Sequence, residues 1–224
     1  MPRPLIVCVE GLIGAGKSSL LQSIVSTEKL KVAIEPVHEF RCLDGYNPLS
    51  IMYSNKKEVI TVQAYINCIL RNYWTEQLDA CFPEQILVSE KSLYSTRIFS
   101  DNLKGMGVLS DFQYHFLNYQ MQQSIDSLAL PEYGADKLFF LDVPVETCFQ
   151  RMIARGRLGE ELHCDYEYLS GLDKRMKEFL ENFRRNKGDG NVKVVQTTDI
   201  DVLKTELMDF VYNNRKGQAK LFKK

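Results

Sequence analysis

Gly11-Leu12-Ile13-Gly14-Ala15-Gly16-Lys17-Ser18 fits G-x-x-x-x-G-K-[ST], and the rest of the chain is read outward from it. Before it runs Leu5-Ile6-Val7-Cys8-Val9, an apolar stretch that predicts a buried strand. After it, residues 18–27 have helical spacing, with Leu20, Leu21, Ile24 and Val25 on one face. Glycines let the backbone wrap closely enough for successive N–H groups to point at one phosphate chain. The helix N-terminus adds partial positive charge. Lys17 is then expected to reach the β- and γ-phosphates of a nucleotide, and the Ser18 hydroxyl to sit on Mg²⁺. Four fixed positions arise by chance in roughly one chain of this length in a hundred. A strand before and a helix after make chance poorer still, so the stretch reads as a phosphate-binding loop.

Composition narrows the class of protein without naming a reaction. The chain has 224 residues, 45% hydrophobic and 25% charged, which suits a globular α/β protein with a large core. With 28 basic and 29 acidic residues the net charge is −1, so neither nucleic acid nor an anionic membrane is an expected partner. No apolar run approaches the ~20 residues of a membrane span. Only Met1-Pro2-Arg3-Pro4 precede the first strand, so no signal or transit peptide is expected. Cys8, Cys42, Cys68, Cys81, Cys148 and Cys164 show no C-x-x-C spacing and read as reduced packing residues of a cytoplasmic protein.

Further strand-like runs fall at residues 32–35, 86–90, 137–142 and 192–196. Helical patterns separate them. Residues 61–80 repeat apolar side chains at Val62, Tyr65, Ile66, Ile69, Leu70 and Tyr73. Residues 110–128 do so at Phe112, Phe116, Leu117 and Tyr119, and 145–155, 165–187 and 199–213 also look helical. This alternation predicts a P-loop NTPase-like three-layer α/β fold: a five-stranded parallel sheet with helices on both faces. No repeat and no linker rich in Pro, Gly or Ser divides it, so one domain over residues 1–224 is expected, with a basic tail from about 215. Ligands in such sheets bind beyond the carboxyl ends of the strands.

Three features at those ends carry charge suited to phosphate chemistry. Glu35 closes the second strand, before Pro36, where a carboxylate can take a proton from an attacking hydroxyl. On position alone, a solvent-facing glutamate fits equally well. Glu90 ends a buried-strand pattern, a place from which an acid can face a metal. Arg151 and Arg155 share a helix face, with Arg157 just beyond Gly156; such a cluster is either a solvated face or a cationic lid over phosphates.

At this point the sequence resembles a family, the deoxynucleoside kinases of the deoxycytidine, deoxyguanosine and mitochondrial-type thymidine kinase group. The likeness runs from Glu10 to Ser19 and through Glu35-Pro36-Val37, Met52-Tyr53 and Gln63. It continues in Glu90-Lys91-Ser92-Leu93-Tyr94-Ser95-Thr96-Arg97, Arg155-Gly156-Arg157, Glu160-Glu161 and Tyr168-Leu169. The resemblance implies transfer of the ATP γ-phosphoryl group, with Mg²⁺, to the 5′-hydroxyl of a deoxynucleoside. It implies ATP contacts from the loop through Ser19 and from Arg151 and Arg155, with Glu35 as general base. Lys17, Lys91, Arg155 and Arg157 would serve the transferred group, and Ser18 with Glu90 the metal. Tyr53 and Glu161 would bind the 3′-hydroxyl. Gln63 would read the base edge, Phe40 would stack on the base, and Met52, Thr96 and Phe99 would complete the pocket. A homodimer through the helices at 61–80 and 110–128 is also implied.

The sequence departs from the family pattern in places. Lys91 stands where the family has arginine, which keeps the charge and loses the planar fork. The second aromatic against the base falls at Ser100, or at Phe99 if one residue is deleted. The lid is one residue longer around Leu158-Gly159, which leaves the parts of Glu160 and Glu161 open by one position. Leu70 and Thr96 are uncharged where purine- or cytosine-selective members carry a charged pair, which favours thymidine and deoxycytidine. The alternative enzyme is a nucleoside monophosphate kinase such as thymidylate kinase. That reading needs a further arginine for the acceptor phosphate and Asp-Arg-[Tyr/Phe] in place of Glu90-Lys91-Ser92. A non-catalytic guanine-selective switch would need Asn-Lys-x-Asp, which the sequence lacks.

Overall fold

The computed structural model describes residues 3–157, 160 and 164–213. Among them, β1 (Leu5–Gly11) is buried at every position after the first. It pairs in parallel with β3 (Ile86–Glu90) on one side and β4 (Lys137–Leu141) on the other. β2 (Leu30–Ala33) lies outside β3, and β5 (Val192–Val195) outside β4, giving the order β2-β3-β1-β4-β5. Strands covered on both faces need continuous apolar runs, and β3 and β4 are buried along their whole length. The registers Val9↔Glu90 and Gly11↔Leu141 bring the carboxyl ends of the three central strands to one edge.

Among the described residues the α-helices with both ends placed are α1 (Lys17–Gln22), α2 (Pro48–Ser54), α3 (Val59–Asp79), α4 (Ser95–Gly105), α5 (Asp111–Ser127), α6 (Val145–Arg155), α7 (Tyr166–Lys187) and α8 (Ile200–Asn213). Local chemistry sets several ends. Ser110 and Gln113 form a reciprocal capping box on α5, and the Asp165 carboxylate accepts the Tyr168 N–H at the start of α7. α6 stops at Gly156, whose φ of 59° takes the left-handed turn that leads Arg157 away from the helix. None of the described helices is long and apolar enough to cross a membrane.

Several predicted boundaries need correction. β2 ends at Ala33, so Glu35 lies past the strand: Val37 N–H bonds the Glu35 carbonyl and Glu39 N–H the Pro36 carbonyl, turning the chain off the sheet. α1 ends at Gln22 because Ser23 turns its hydroxyl back onto the Leu20 carbonyl, and i→i−3 bonds tighten the last turn. Val25 therefore faces solvent, 80% exposed, and not the core. Strands β4 and β5 each stop one residue before Asp142 and Gln196, which hydrogen-bond to each other. Neither α2, with Pro48 at its first position and Asn47 as cap, nor α4 was expected from periodicity. On α5, Leu117 is buried but Phe112, Phe116 and Tyr119 are exposed.

Candidate active site

A cavity of about 630 Å³ opens at the carboxyl ends of β1, β2 and β3 and reaches between α3, α4 and α6. Ile13 through Ser19 form its floor. At two of the loop glycines a Cβ would clash with a neighbouring carbonyl. At Gly11, φ 145°, a Cβ would stand 2.7 Å from the Leu141 carbonyl oxygen, and at Gly14, φ 86°, one would collide with the carbonyl of Cys148 on α6. Gly11 and Leu12 sit behind the floor, where their carbonyls each accept a 2.8 Å hydrogen bond from Lys17 Nζ. Burial, and then the neighbouring Lys91 charge, lower the Lys17 pKa to about 8, against the opposing pull of Glu90, Glu35 and Glu10.

Glu90 joins the loop to the segment after β2. Its Oε1 accepts the Ser18 hydroxyl at 2.7 Å, and its Oε2 accepts the Glu35 backbone N–H at 3.3 Å. Ser18 and Glu90 thus offer hydroxyl and carboxylate oxygens side by side, the hard donor set that suits Mg²⁺ together with nucleotide phosphates. Among the described residues no cluster of three or more His, Cys, Asp or Glu could hold a metal by itself. The Glu35 side chain lies 3.3 Å from Lys91 Nζ through either oxygen, and that ammonium stands 4.6 Å from the centre of the Phe99 ring. Lys91 has φ 60°, a left-handed conformation that costs a non-glycine residue about 1–2 kcal/mol.

The opposite arm of the cavity is apolar. Phe40, Met52, Ile66, Leu70, Tyr73, Trp74 and Phe99 line it, with Gln63 and Thr96 as polar groups. Gln63 is buried and directs its amide nitrogen at the Met52 sulfur, 3.1 Å away. The Thr96 hydroxyl donates to the Leu93 carbonyl within its own turn, which leaves Gln63 the freer of the two to read a ligand. Of the two positions open for the second aromatic, Phe99 faces the cavity; Ser100 is buried and donates to the Thr96 carbonyl. The Tyr53 side chain and Glu161 lie outside the described residues, as do Leu158 and Gly159.

Arg151, Arg155 and Arg157 line the phosphate side. Glu160, itself buried, accepts from Arg155 Nη2 at 2.7 Å and sits 3.6 Å from Arg157 Nη1. Sequence reasoning missed the cavity position of Tyr73 and Trp74, which continue the Gln63, Ile66, Leu70 face of α3. The spacing was visible, but nothing in it distinguishes a core face from a cavity wall. It also missed Gln22, Thr198, Ile200 and Leu203 at the far end of the loop. Burial pushes the Tyr73 phenol up, with Glu90, Glu35 and Glu39 adding to the effect.

A parallel sheet with this strand order and a glycine loop between its central strand and first helix defines a P-loop fold. Residues 7–220 match the deoxynucleoside kinase family model, and the chain belongs to that family. Human mitochondrial thymidine kinase 2 is 28% identical over 177 residues, 78% of this chain. The match spans 64% of that protein's length. A thymidylate kinase from Leuconostoc mesenteroides is 25% identical over 207 residues, 88% of this chain and 90% of that protein. Among solved structures, deoxyadenosine kinase from M. mycoides with bound dCTP superposes with a TM-score of 0.71. It covers 95% of this chain and 100% of that one at 20% identity, a likeness of fold.

Proposed function

We propose that the chain is an ATP-dependent kinase that phosphorylates the 5′-hydroxyl of deoxynucleosides. The observation that carries this is the position of Glu35: beside Lys91, tied through Glu90 to Ser18 of the loop, at the border between the phosphate floor and the apolar arm. The 5′-oxygen attacks the γ-phosphorus, the bond to the ADP oxygen breaks, and the hydroxyl proton passes to the Glu35 carboxylate. Lys17 and the lid arginines Arg151, Arg155 and Arg157 stabilise charge on the phosphoryl oxygens, and Lys91 orients Glu35 and the acceptor oxygen. The Ser18 hydroxyl and the Glu90 carboxylate would hold Mg²⁺, which would supply charge neutralisation at the phosphates. Phe40 and Phe99 flank the base, Gln63 reads its edge, Met52 and Thr96 shape its seat, and Tyr53 and Glu161 hold the 3′-hydroxyl.

Uncharged Leu70 and Thr96, and the similarity to a thymidine kinase, favour thymidine and deoxycytidine over purines. A second reading, a nucleoside monophosphate kinase, draws on the thymidylate kinase relative. Against it, the arginines that line the described cavity all come from α6 and Arg157 just after it, and none from the apolar arm where an acceptor phosphate would need one. Turnover of thymidine with dTMP inert supports the first reading, and turnover of dTMP alone the second.

The enzyme works in the cytoplasm as one domain over residues 1–224, and as a homodimer. Exposed Phe112, Phe116 and Tyr119 on one side of α5 support the dimer, being an aromatic face for a second copy to cover. A monomer in sedimentation at micromolar concentration would remove that part of the proposal.

A further inference from the structure

We infer that Glu10, the residue before the phosphate loop, is a positioning residue: it clamps the turn after β3 so that Lys91 is delivered to Glu35. The inference rests on the reading of Lys91 as a group that serves the phosphoryl transfer. Glu10 is 1% exposed and reaches across from β1 to the start of α4. Its Oε1 accepts the Ser92 N–H at 2.7 Å and also the Ser95 hydroxyl. One residue back on β1, the Val9 carbonyl accepts the Lys91 N–H at 3.0 Å. β1 therefore holds the peptide N–H groups on both sides of the Lys91 Cα.

That grip matters because of Lys91's φ of 60°. A non-glycine residue in the left-handed region returns to ordinary backbone angles unless its surroundings over-determine it. A relaxed Lys91 would swing its ammonium away from Glu35, now 3.3 Å distant. Gly134 closes the other side of the turn: a Cβ there would stand 3.2 Å from Leu93 N and 3.3 Å from Ser92 Cβ. With the turn held from both sides, removal of Glu10's reach frees only one, and Lys91 is the residue that stores the strain.

Both accepted hydrogen bonds fall on one oxygen. Oε2 is buried with no hydrogen-bond partner among the described residues. Burial raises the Glu10 carboxyl's pKa, opposed by Ser95, Ser92, Lys91 and Lys17. Reach and charge can therefore be separated by substitution. Glu10→Gln keeps an oxygen at the clamp and loses the charge, whereas Glu10→Asp keeps the charge and falls one methylene short.

The test compares these two variants, alone and with Lys91→Met, by thymidine phosphorylation with ATP and by ¹³C spectra of lysine-labelled protein. The Lys91 Cε resonance is assigned by its loss in Lys91→Met. Expected is a Glu10→Gln enzyme with kcat within about threefold of wild type and the Lys91 resonance in place. Glu10→Asp should lose about 100-fold in kcat with KM for ATP nearly unchanged, and shift the Lys91 resonance. On the Lys91→Met background, Glu10→Asp should cost less than about threefold more. Glu10→Gln falling below Glu10→Asp, additive losses, or a Lys91 resonance unmoved by Glu10→Asp would each overturn the inference. If the wild type phosphorylates no deoxynucleoside, the kinase reading fails, while the lysine spectra still decide whether Glu10 positions Lys91.

Discussion

The phosphate end of the cavity and its apolar arm are built by different means. Ile13–Ser19, fixed by backbone angles and by carbonyl contacts at Gly11 and Gly14, make the floor from contiguous sequence. Phe40, Met52, Gln63, Leu70, Thr96 and Phe99 make the arm from side chains that α2, α3, α4 and the segment after β2 bring together. The first end is specified by what the backbone must do, the second by what the tertiary fold happens to juxtapose. Changes at the floor should therefore act on turnover whatever the nucleoside, and changes in the arm should act on the choice of nucleoside.

The largest effect is expected from Lys17→Ala, a loss of about a thousandfold or more in kcat on every accepted nucleoside. Steady-state assays across several bases check it, and a base-dependent loss would break the division. The buried Lys17 also gives the floor a pH signature. Its pKa of about 8 in the folded chain, against 10.5 in the open, means that the unfolded state binds more protons between those values. Stability of the ligand-free protein should rise with pH through that window, by up to about 3 kcal/mol. Lys17→Met should remove the rise in denaturant titrations, and kcat/KM for ATP should fall above about pH 8 as the ammonium is lost.

Glu35→Gln comes next. It should lower kcat about 100- to 1000-fold and leave nucleoside affinity by calorimetry within about threefold. Near-normal kcat in that variant would refute the assignment of the base. Gln63→Leu should raise KM for the nucleoside about 10- to 100-fold while KM for ATP stays put. Lys91→Arg is the smallest: restoring the planar fork should raise kcat by about threefold.

How much of this was legible follows the same division. The loop, the central strand and the parallel sheet could be read because glycine spacing and apolar runs are local signals. Ser18 was singled out by the loop motif and Glu90 by its strand end, and a 2.7 Å hydrogen bond joins them. Glu35 was placed at the end of the strand, yet Ala33 ends it, because the turn through Pro36 is set by bonds to Glu35 and Pro36 carbonyls that periodicity does not register. Tyr73 was read as part of an apolar helix face and Trp74 was not named, since a cavity wall and a core face share one spacing on α3. The exposure of Phe112, Phe116 and Tyr119 was hidden for the same reason: hydrophobicity does not say which partner covers it. Glu160, held between Arg155 and Arg157, shows that the arginines are already countered by a carboxylate, which no linear count of charge could reveal.

One assay addresses the central claim most directly: transfer of ³²P from [γ-³²P]ATP with Mg²⁺ to thymidine, deoxycytidine, deoxyadenosine and deoxyguanosine, run beside dTMP. The account predicts label at the 5′-position of thymidine and deoxycytidine, slower labelling of the purines, and none on dTMP. Label on dTMP alone would contradict it and would require new roles for Glu35, Lys91 and the three arginines.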